Sequence, residues 1–395
     1  KSRKLSARWT FESAQDAQSQ HGIDVEAEIM AALAQEITAE IDQEVLASLS
    51  ALAPTSDTYN QAAVSGTATF VGDEHANHLK KTLEKQYKIT VDWKGSKYVG
   101  ISLNWDYKTR VLHTSVPGFV KKSLNKYQHP TPSKPQHAPT KATPINYGAK
   151  VQAPTPDNET SLLSPEGMRQ VQDIVGTFAW YSRATDPTMA QTLSSIAGRQ
   201  SKATQQLREE VTHFLDYCAT HPDAQVRFHA SDMVFALHSD GSHLSEPGSK
   251  SRAAGHFYLT NKGTKDLDNG AILTLSKIIK HVMGSAGESE MASLYYNCKN
   301  AVPLKTALEE MGHSQPKTRV TTDNASAVGP IDKSMTPKRA KSYDQRFNWL
   351  KCREAQKLFD LVWGKGTDNR ADYHSKRHPT SVYKEKRSSY VTAAA

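Results

Sequence analysis

The stretch that decides the fold begins Val234-Phe235-Ala236-Leu237-His238-Ser239-Asp240-Gly241-Ser242. It continues through Glu246-Pro247-Gly248-Ser249-Lys250 to Arg252-Ala253-Ala254-Gly255-His256-Phe257-Tyr258-Leu259. An apolar run delivers an aspartate, a turn follows, and a second apolar run returns, which reads as two strands joined by a turn. Three further acidic signals lie downstream. They are Glu288 and Glu290 at the head of a helical pattern, Asp323 in Thr322-Asp323-Asn324 after Arg319-Val320-Thr321, and Asp372 in Ala371-Asp372-Tyr373. Taken singly, such acids are ordinary: Asp-Gly makes turns, Asp caps helices, and most carboxylates are solvated. Their order is not ordinary. Strand Asp, helix Glu, strand-end Asp and late-helix Asp follow one another through residues 225–385. There short apolar runs alternate with helical patterns as β-β-β-α-β-α-β-α, which predicts a layered α/β domain.

Outward from that core the chain changes character several times. Residues 24–50 carry Ile29, Leu33, Ile37, Ile41 and Val45 at a four-residue spacing, with Glu28, Glu36, Glu40 and Glu44 on other faces. This predicts an amphipathic helix, ended by Pro54. A helix is expected at His78-Leu79-Lys80-Lys81-Thr82-Leu83. Strands are expected at Tyr87-Lys88-Ile89-Thr90-Val91, Tyr98-Val99-Gly100-Ile101-Ser102-Leu103 and Val111-Leu112-His113-Thr114. Seven prolines between 130 and 156 mark a linker or surface strap. Two helices, about 166–183 and 200–219, are expected with a short one between. The domain reading is then 1–76, 77–128, 129–160, 161–224, 225–385 and a 386–395 tail.

Composition narrows the function. The chain has 395 residues, 37% hydrophobic and 23% charged, with a net charge of +8. Its mean hydropathy is −0.62. No apolar run is long enough for a transmembrane helix, so no membrane partner is expected. The first residue is Lys1 and no charged-then-apolar leader follows, so no secretory leader is expected. Cys218, Cys298 and Cys352 lack metal-site spacing and fit a reducing, intracellular setting in cytoplasm or nucleus. Residues 1–76 hold 4 Lys+Arg against 12 Asp+Glu, and the remainder holds 45 against 29. An acidic head on a basic body implies two units with different partners, the basic one suited to a polyanion.

Residues 225–385 resemble the ribonuclease H domain of copia-type retrotransposon polyproteins. The carriers are Ser231-Asp232-Met233 with His238-Ser239-Asp240-Gly241-Ser242, then Ser285-Ala286-Gly287-Glu288-Ser289-Glu290-Met291, Thr322-Asp323-Asn324-Ala325-Ser326-Ala327, and Arg370-Ala371-Asp372-Tyr373-His374-Ser375-Lys376. The resemblance implies a mixed five-stranded sheet flanked by helices, with an α+β thumb and connection region upstream and a helical fragment at the N-terminus. It implies that Asp240, Glu290, Asp323 and Asp372 bind two Mg²⁺ or Mn²⁺ ions and hydrolyse the RNA strand of an RNA–DNA hybrid. Periodicity alone does not choose between Glu288 and Glu290, because both border the stripe of Met291, Leu294, Tyr295, Cys298 and Val302; the family register selects Glu290. Two metal ions suit this chemistry because they stabilise both the attacking and the leaving oxygen. The loop 364–370 lacks the histidine that many relatives place there, and His374 and His378 read as bystanders. Expected nucleic-acid contacts are Ser242, Asn324 and Ser326 toward 2′-hydroxyls, and Lys338, Arg339, Lys341, Arg346 and Lys376 toward phosphates.

Upstream, residues 77–128 look like the end of a copia-type reverse transcriptase, and 165–221 like the segment that joins it to ribonuclease H. No Asp-Asp dipeptide occurs in the chain, so polymerisation is not expected. Residues 1–76 resemble instead the major capsid protein of large tailed phages. The carriers include Lys4-Leu5-Ser6-Ala7-Arg8-Trp9, Asp24-Val25-Glu26-Ala27-Glu28 and Tyr59-Asn60-Gln61-Ala62-Ala63, with Val71-Gly72-Asp73-Glu74-His75-Ala76 shared by both patterns at the join. A chimera is the natural reading. It leaves as alternatives a structural virion role for the head, with self-association through 24–50, and a catalytically dead retroelement remnant.

Overall fold

The computed structural model describes residues 80–142, 160–263, 269–328 and 345–393. The helix expected at 24–50 and the capsid-like motifs lie outside the described residues. The chain divides into two compact units, Lys1–Val91 and Asp92–Ala395.

In the first unit residues 80–84 are helical, with Lys80 and Glu84 paired at 3.5 Å across one turn. The strand expected at 87–91 is not formed. Its composition suits a strand, but no partner pairs with it among the described residues, and Tyr87 is exposed.

The second unit holds two five-stranded sheets. The first runs β1-β2-β3-β4-β10 and is antiparallel throughout. Its strands are β1 (Lys97–Tyr98), β2 (Ile101–Asp106), β3 (Val111–Ser115), β4 (Ala224–His229) and β10 (Thr392–Ala393). The single strand expected at 98–103 is instead a hairpin. Val99 (φ 48°) and Gly100 (φ 81°) both take left-handed backbone, the geometry of a two-residue turn whose twist matches its strands.

Four helices back this sheet: α1 (Phe119–Lys126), α2 (Pro165–Ala184), α3 (Ala190–Ala197) and α4 (Gln205–Thr220). Their starts follow from local chemistry. Ser164 caps α2 by accepting from the Gly167 N–H, with Pro165 at the first helical position, and Thr204 caps α4 through the Leu207 N–H. Residues 136–140 of the proline-rich stretch pack along α4. There the Gln136 N–H donates to Thr220 Oγ1, and Ala138 is buried.

Two boundaries read from the sequence fall inside this module. Residues 224–229 pair with β3 in register from Val111↔His229 to Ser115↔Gln225, so they close the first sheet rather than open the second. The tail read at 386–395 is structured over residues 386–393, since Tyr390 and Val391 enter the first core and β10 pairs with β4. Burial of aromatic surface outweighs sequence distance here.

The second sheet has the order β7-β6-β5-β8-β9. It comprises β5 (Val234–Glu246), β6 (Lys250–Thr260), β7 (Ala271–Ile278), β8 (Thr318–Thr322) and β9 (Phe359–Trp363). β5, β6 and β7 are antiparallel neighbours, whereas β5–β8 and β8–β9 are parallel. This is the mixed five-stranded sheet that the resemblance implies. Central β5 is buried on both faces, as a strand covered twice must be.

Alternation sorts β5. Phe235 and Leu237 join the core beneath α5 (Ala286–Glu310) and α7 (Gln345–Ala355), with Ser239 and Gly241 on the same face. His238, Asp240 and Ser242 point to the opposite face. That face meets residues 369–375, α8 (Asp372–Ser375) and the helical module, while a single turn, α6 (Ala325–Val328), follows β8.

A buried ionic knot joins the module to the sheet. Arg252, with no exposed surface, donates from Nη2 and Nε to Glu246 Oε1 (2.7 and 3.0 Å). Its Nη1 reaches Ser194 of α3 and Ser276 of β7. Gln191 and Ser195 of α3 also donate to Glu246, at 3.0 and 2.7 Å.

Candidate active site

Four segments converge beside the middle of β5. Asp240 stands there with 3% of its surface exposed. The backbone around it is pinned from both faces: Ser293 Oγ donates to the Asp240 carbonyl (2.6 Å), and Asn369 Nδ2 to the Ser239 carbonyl (3.0 Å).

The next residue sets how closely α5 approaches. A Cβ on Gly241 would lie 2.6 Å from the Ser289 carbonyl oxygen and 2.8 Å from the Glu290 backbone, so only glycine admits the helix at this depth. The approach lets the Gly241 N–H donate to Glu290 Oε2 at 3.0 Å.

Glu290 is buried at 7% exposure, whereas Glu288 turns outward and accepts from the Gly284 N–H at 2.6 Å. Asp323 follows the last residue of β8. Its carbonyl accepts from Trp363 Nε1, and Gly366 lies close enough that a Cβ there would come within 2.8 Å of Asp323 Oδ2.

One carboxylate oxygen from each of Asp240, Glu290 and Asp323 lies within 4.8 Å of the others. Asp372 stands outside this group. Its carboxylate is held by Lys376 Nζ at 2.6 Å, Lys386 Nζ at 3.6 Å and His378 Nε2 at 3.7 Å.

The electrostatics separate the four acids. Burial pushes the Asp240 carboxyl up to about 6, Lys376 opposes the rise, and Asp372 and Asp323 add to it. Burial followed by the charges of Asp240 and Asp323 pushes Glu290 up to about 9, against the Gly241 hydrogen bond. Burial also works to raise Asp372, but Lys376, His378 and Lys386 hold it below the ordinary carboxylate range. At neutral pH without metal, Glu290 therefore keeps its proton.

Asp240 Oδ2 is buried with no hydrogen-bond partner. A buried, partnerless carboxylate oxygen facing two other carboxylates is costly unless a cation completes it. The donor set is all hard oxygen, which suits Mg²⁺ or Mn²⁺ and not a soft metal. The residues present fit a divalent ion.

The expected nucleic-acid contacts fare unevenly. Ser242 is buried, and its hydroxyl donates to the Ser375 carbonyl at 2.6 Å. It anchors α8 and does not face a ligand, because a strand position between Asp240 and the β-bulge near Leu244 is covered by that turn. Asn324 is half-buried beside Asp323. Arg346 is half-buried on α7. Lys376 lies in the acid cluster itself. Lys338, Arg339 and Lys341 lie outside the described residues, as does the side chain of Ser326.

His374 is wholly buried, stacked near His256 at 6.4 Å and pushed down to about 3 by burial. His378 Nε2 lies 2.9 Å from the Asp372 carbonyl oxygen.

Sequence reasoning passed over Ser293, Asn297 and Asn369. The first two carry a signal. Glu290, Ser293 and Asn297 are spaced three and four apart, a polar stripe on one helix face, and Asn297 Nδ2 donates to Ser239 Oγ and the Ala254 carbonyl. Asn369 sits in a loop, where no periodicity marks it.

Among known proteins, residues 1–95 match the family of the Major capsid protein Gp23. Over 305 residues, 77% of its length, the chain is 20% identical to the retrovirus-related Pol polyprotein from transposon TNT 1-94 of Nicotiana tabacum. It spans only 22% of that relative. Among solved structures, it is similar to LC11-RNase H1 in complex with RNA/DNA hybrid, at 13% identity and a TM-score of 0.28 over 36% of this chain and 93% of that one. The RNase H1 of the halophilic archaeon Halobacterium salinarum is 15% identical, with a TM-score of 0.25 over 36% and 94%. Both resemblances read from the sequence are met: a capsid protein at the N-terminus, and a retrotransposon polyprotein over most of the length. Among the described residues no helix is long and apolar enough to cross a membrane.

Proposed function

We propose that the second sheet and the helices around it, within residues 225–385, form a metal-dependent ribonuclease H that hydrolyses the RNA strand of an RNA–DNA hybrid, from a retroelement polyprotein whose polymerase centre is absent here. The observation that carries the reading is the convergence of Asp240, Glu290 and Asp323 within 4.8 Å around a partnerless, buried Asp240 oxygen. Asp240, Glu290 and Asp323 would hold Mg²⁺ or Mn²⁺, with Asp372 completing a two-ion site. The bound ions would supply the charge that stabilises attacking and leaving oxygens. Asp240 and Asp323 orient, and Glu290 yields a proton on loading, because its carboxyl is neutral beforehand. Asn369, Ser293 and Gly241 keep the acids in place through backbone contacts. The resemblance to retrotransposon ribonucleases H and the Pol polyprotein match support the same reading.

The test is cleavage of a hybrid labelled on each strand by the purified full chain. We expect Mg²⁺- or Mn²⁺-dependent cutting of the RNA strand only, abolished by chelator. Cutting of both strands, or metal-independent cutting, overturns the assignment. For the head, the Gp23 match supports a capsid-derived segment, and a particle-forming role for residues 1–95 is the second reading.

A further inference from the structure

We infer that Lys376 is a built-in counter-cation that reserves Asp372, so that the free protein takes one divalent ion and the second place opens only when the lysine withdraws. The inference rests on the proposed metal site and concerns how that site fills.

The four acids are not equivalent. Three of them face one another, and Asp240 Oδ2 has no partner. The fourth, Asp372, is already satisfied. Lys376 follows it by four residues and spans the one-turn helix α8 to place Nζ 2.6 Å from Oδ1. The charge of Lys376 is felt beyond that pair: it acts on Asp240, Glu290 and Asp372, and Asp323 acts on it in return. Lys386 lies farther, at 3.6 Å from Oδ2, and its charge acts on Asp372 and His378. Lys376 thus pairs directly with the fourth acid and is coupled by charge to the other three.

An ammonium and a divalent ion repel when they share a carboxylate, so a second ion must displace this lysine. A phosphate is the natural agent. It offers the ammonium an alternative anion and brings oxygens to the vacated metal position. The helix turn carrying Lys376 is itself held rigidly, by Ser242 Oγ to the Ser375 carbonyl (2.6 Å) and Ser276 Oγ to the His374 carbonyl (2.7 Å). Only the flexible side chain therefore needs to move. Lys376 is a positioning residue for the site, controlling when Asp372 becomes a ligand.

The test counts Mn²⁺ per full chain by the loss of its free-ion electron paramagnetic resonance signal, without nucleic acid. We expect one ion on the wild type and two on Lys376→Met and on Lys376→Gln. Lys376→Arg should stay at one, because the charge is kept. Lys386→Met should also stay at one, and Lys376→Met with Asp372→Asn should return to one. Circular dichroism confirms that each variant is folded. Equal counts on the wild type and both neutral variants, or two ions on the wild type, overturn the role of Lys376. No saturable Mn²⁺ on the wild type overturns the metal site itself, which is the failure of the earlier proposal and not of this one alone.

Discussion

Strand β5 carries two buried acids six residues apart, and their surroundings are opposite. Glu246, 1% exposed, receives Arg252, Gln191 and Ser195. Asp240, 3% exposed, has an oxygen with no partner and faces two more acids. Burial works against ionisation in both. Around Glu246 the Arg252 charge and the Ser195 hydrogen bond overcome it and hold the carboxyl below its ordinary range. Around Asp240 burial wins, and the carboxyl rises to about 6. The contrast teaches how to read a buried acid. A fully partnered one fastens the fold, and one with a partnerless oxygen beside other acids is a candidate for a cation.

The largest effect should come from the partnerless acid. Asp240→Asn or Asp323→Asn removes a ligand charge at nearly constant volume. Hybrid cleavage should fall by about 10⁴-fold, roughly 5.5 kcal/mol in the transition state, with the far-ultraviolet spectrum unchanged. If either variant keeps wild-type rates, that residue is not a ligand and the contrast collapses.

The partnered acid should answer in stability instead. Arg252→Ala leaves Glu246 buried and uncompensated, at a cost of about 3–5 kcal/mol in urea unfolding. Arg252→Met with Glu246→Leu should recover most of that loss, because the pair fastens and does no chemistry. A double variant no better than Arg252→Ala would mean that the charges themselves are needed.

How far the sequence reaches follows the same divide. The second sheet was legible because each of its strands is a short apolar run with its own turn signals, from Phe235 to Val362. The acids were legible because their order survives in the chain. The pairing of Asp372 with Lys376 was not, although the four-residue spacing is visible, because only the fold brings the other three acids near enough to make that pair matter. Nor was the placement of β4 and β10 in the first sheet legible. β4 pairs with β3, more than a hundred residues before it, and β10 pairs with β4 from farther still along the chain, and no local pattern encodes either. Ser242 misled for a related reason. A serine two residues after the strand aspartate looks free in sequence, yet alternation turns it onto the face that α8 covers.

A smaller effect belongs to the approach that builds the site. Gly241→Ala sets a methyl 2.6 Å from the Ser289 carbonyl oxygen, so α5 must retreat. We expect a loss of about 1–3 kcal/mol in stability together with weaker metal binding. Stability loss with unchanged metal affinity would show that Glu290 tolerates a shifted helix.

The smallest effect is the pH dependence of the metal-free protein. Glu290 rises from its ordinary 4.5 to about 9, and Asp240 from 3.8 to about 6. A carboxyl raised on folding contributes its full stability below the unfolded value and loses it as pH climbs to the folded one. The share of stability owed to these two carboxyls in chelator should therefore fall between about pH 4 and pH 9; buried His238 and His374, pushed down to about 4 and about 3, work the other way up to about pH 6.5, so Glu290 is read above pH 7. Glu290→Gln should flatten the upper part of that window and stabilise the chelated protein at pH 8. A wild-type stability that rises between pH 7 and pH 9 would mean that the acids are partnered after all.

If the three converging acids hold a metal ion, thermal unfolding of the full chain in chelator and in millimolar Mn²⁺ will show it. An ion that binds only the folded state raises the midpoint in proportion to the logarithm of its concentration over its dissociation constant. We expect a clear rise for the wild type, none for Asp240→Asn, and an undiminished rise for Arg252→Met with Glu246→Leu. A wild-type midpoint that Mn²⁺ leaves unmoved, or one that it raises equally in Asp240→Asn, would contradict it.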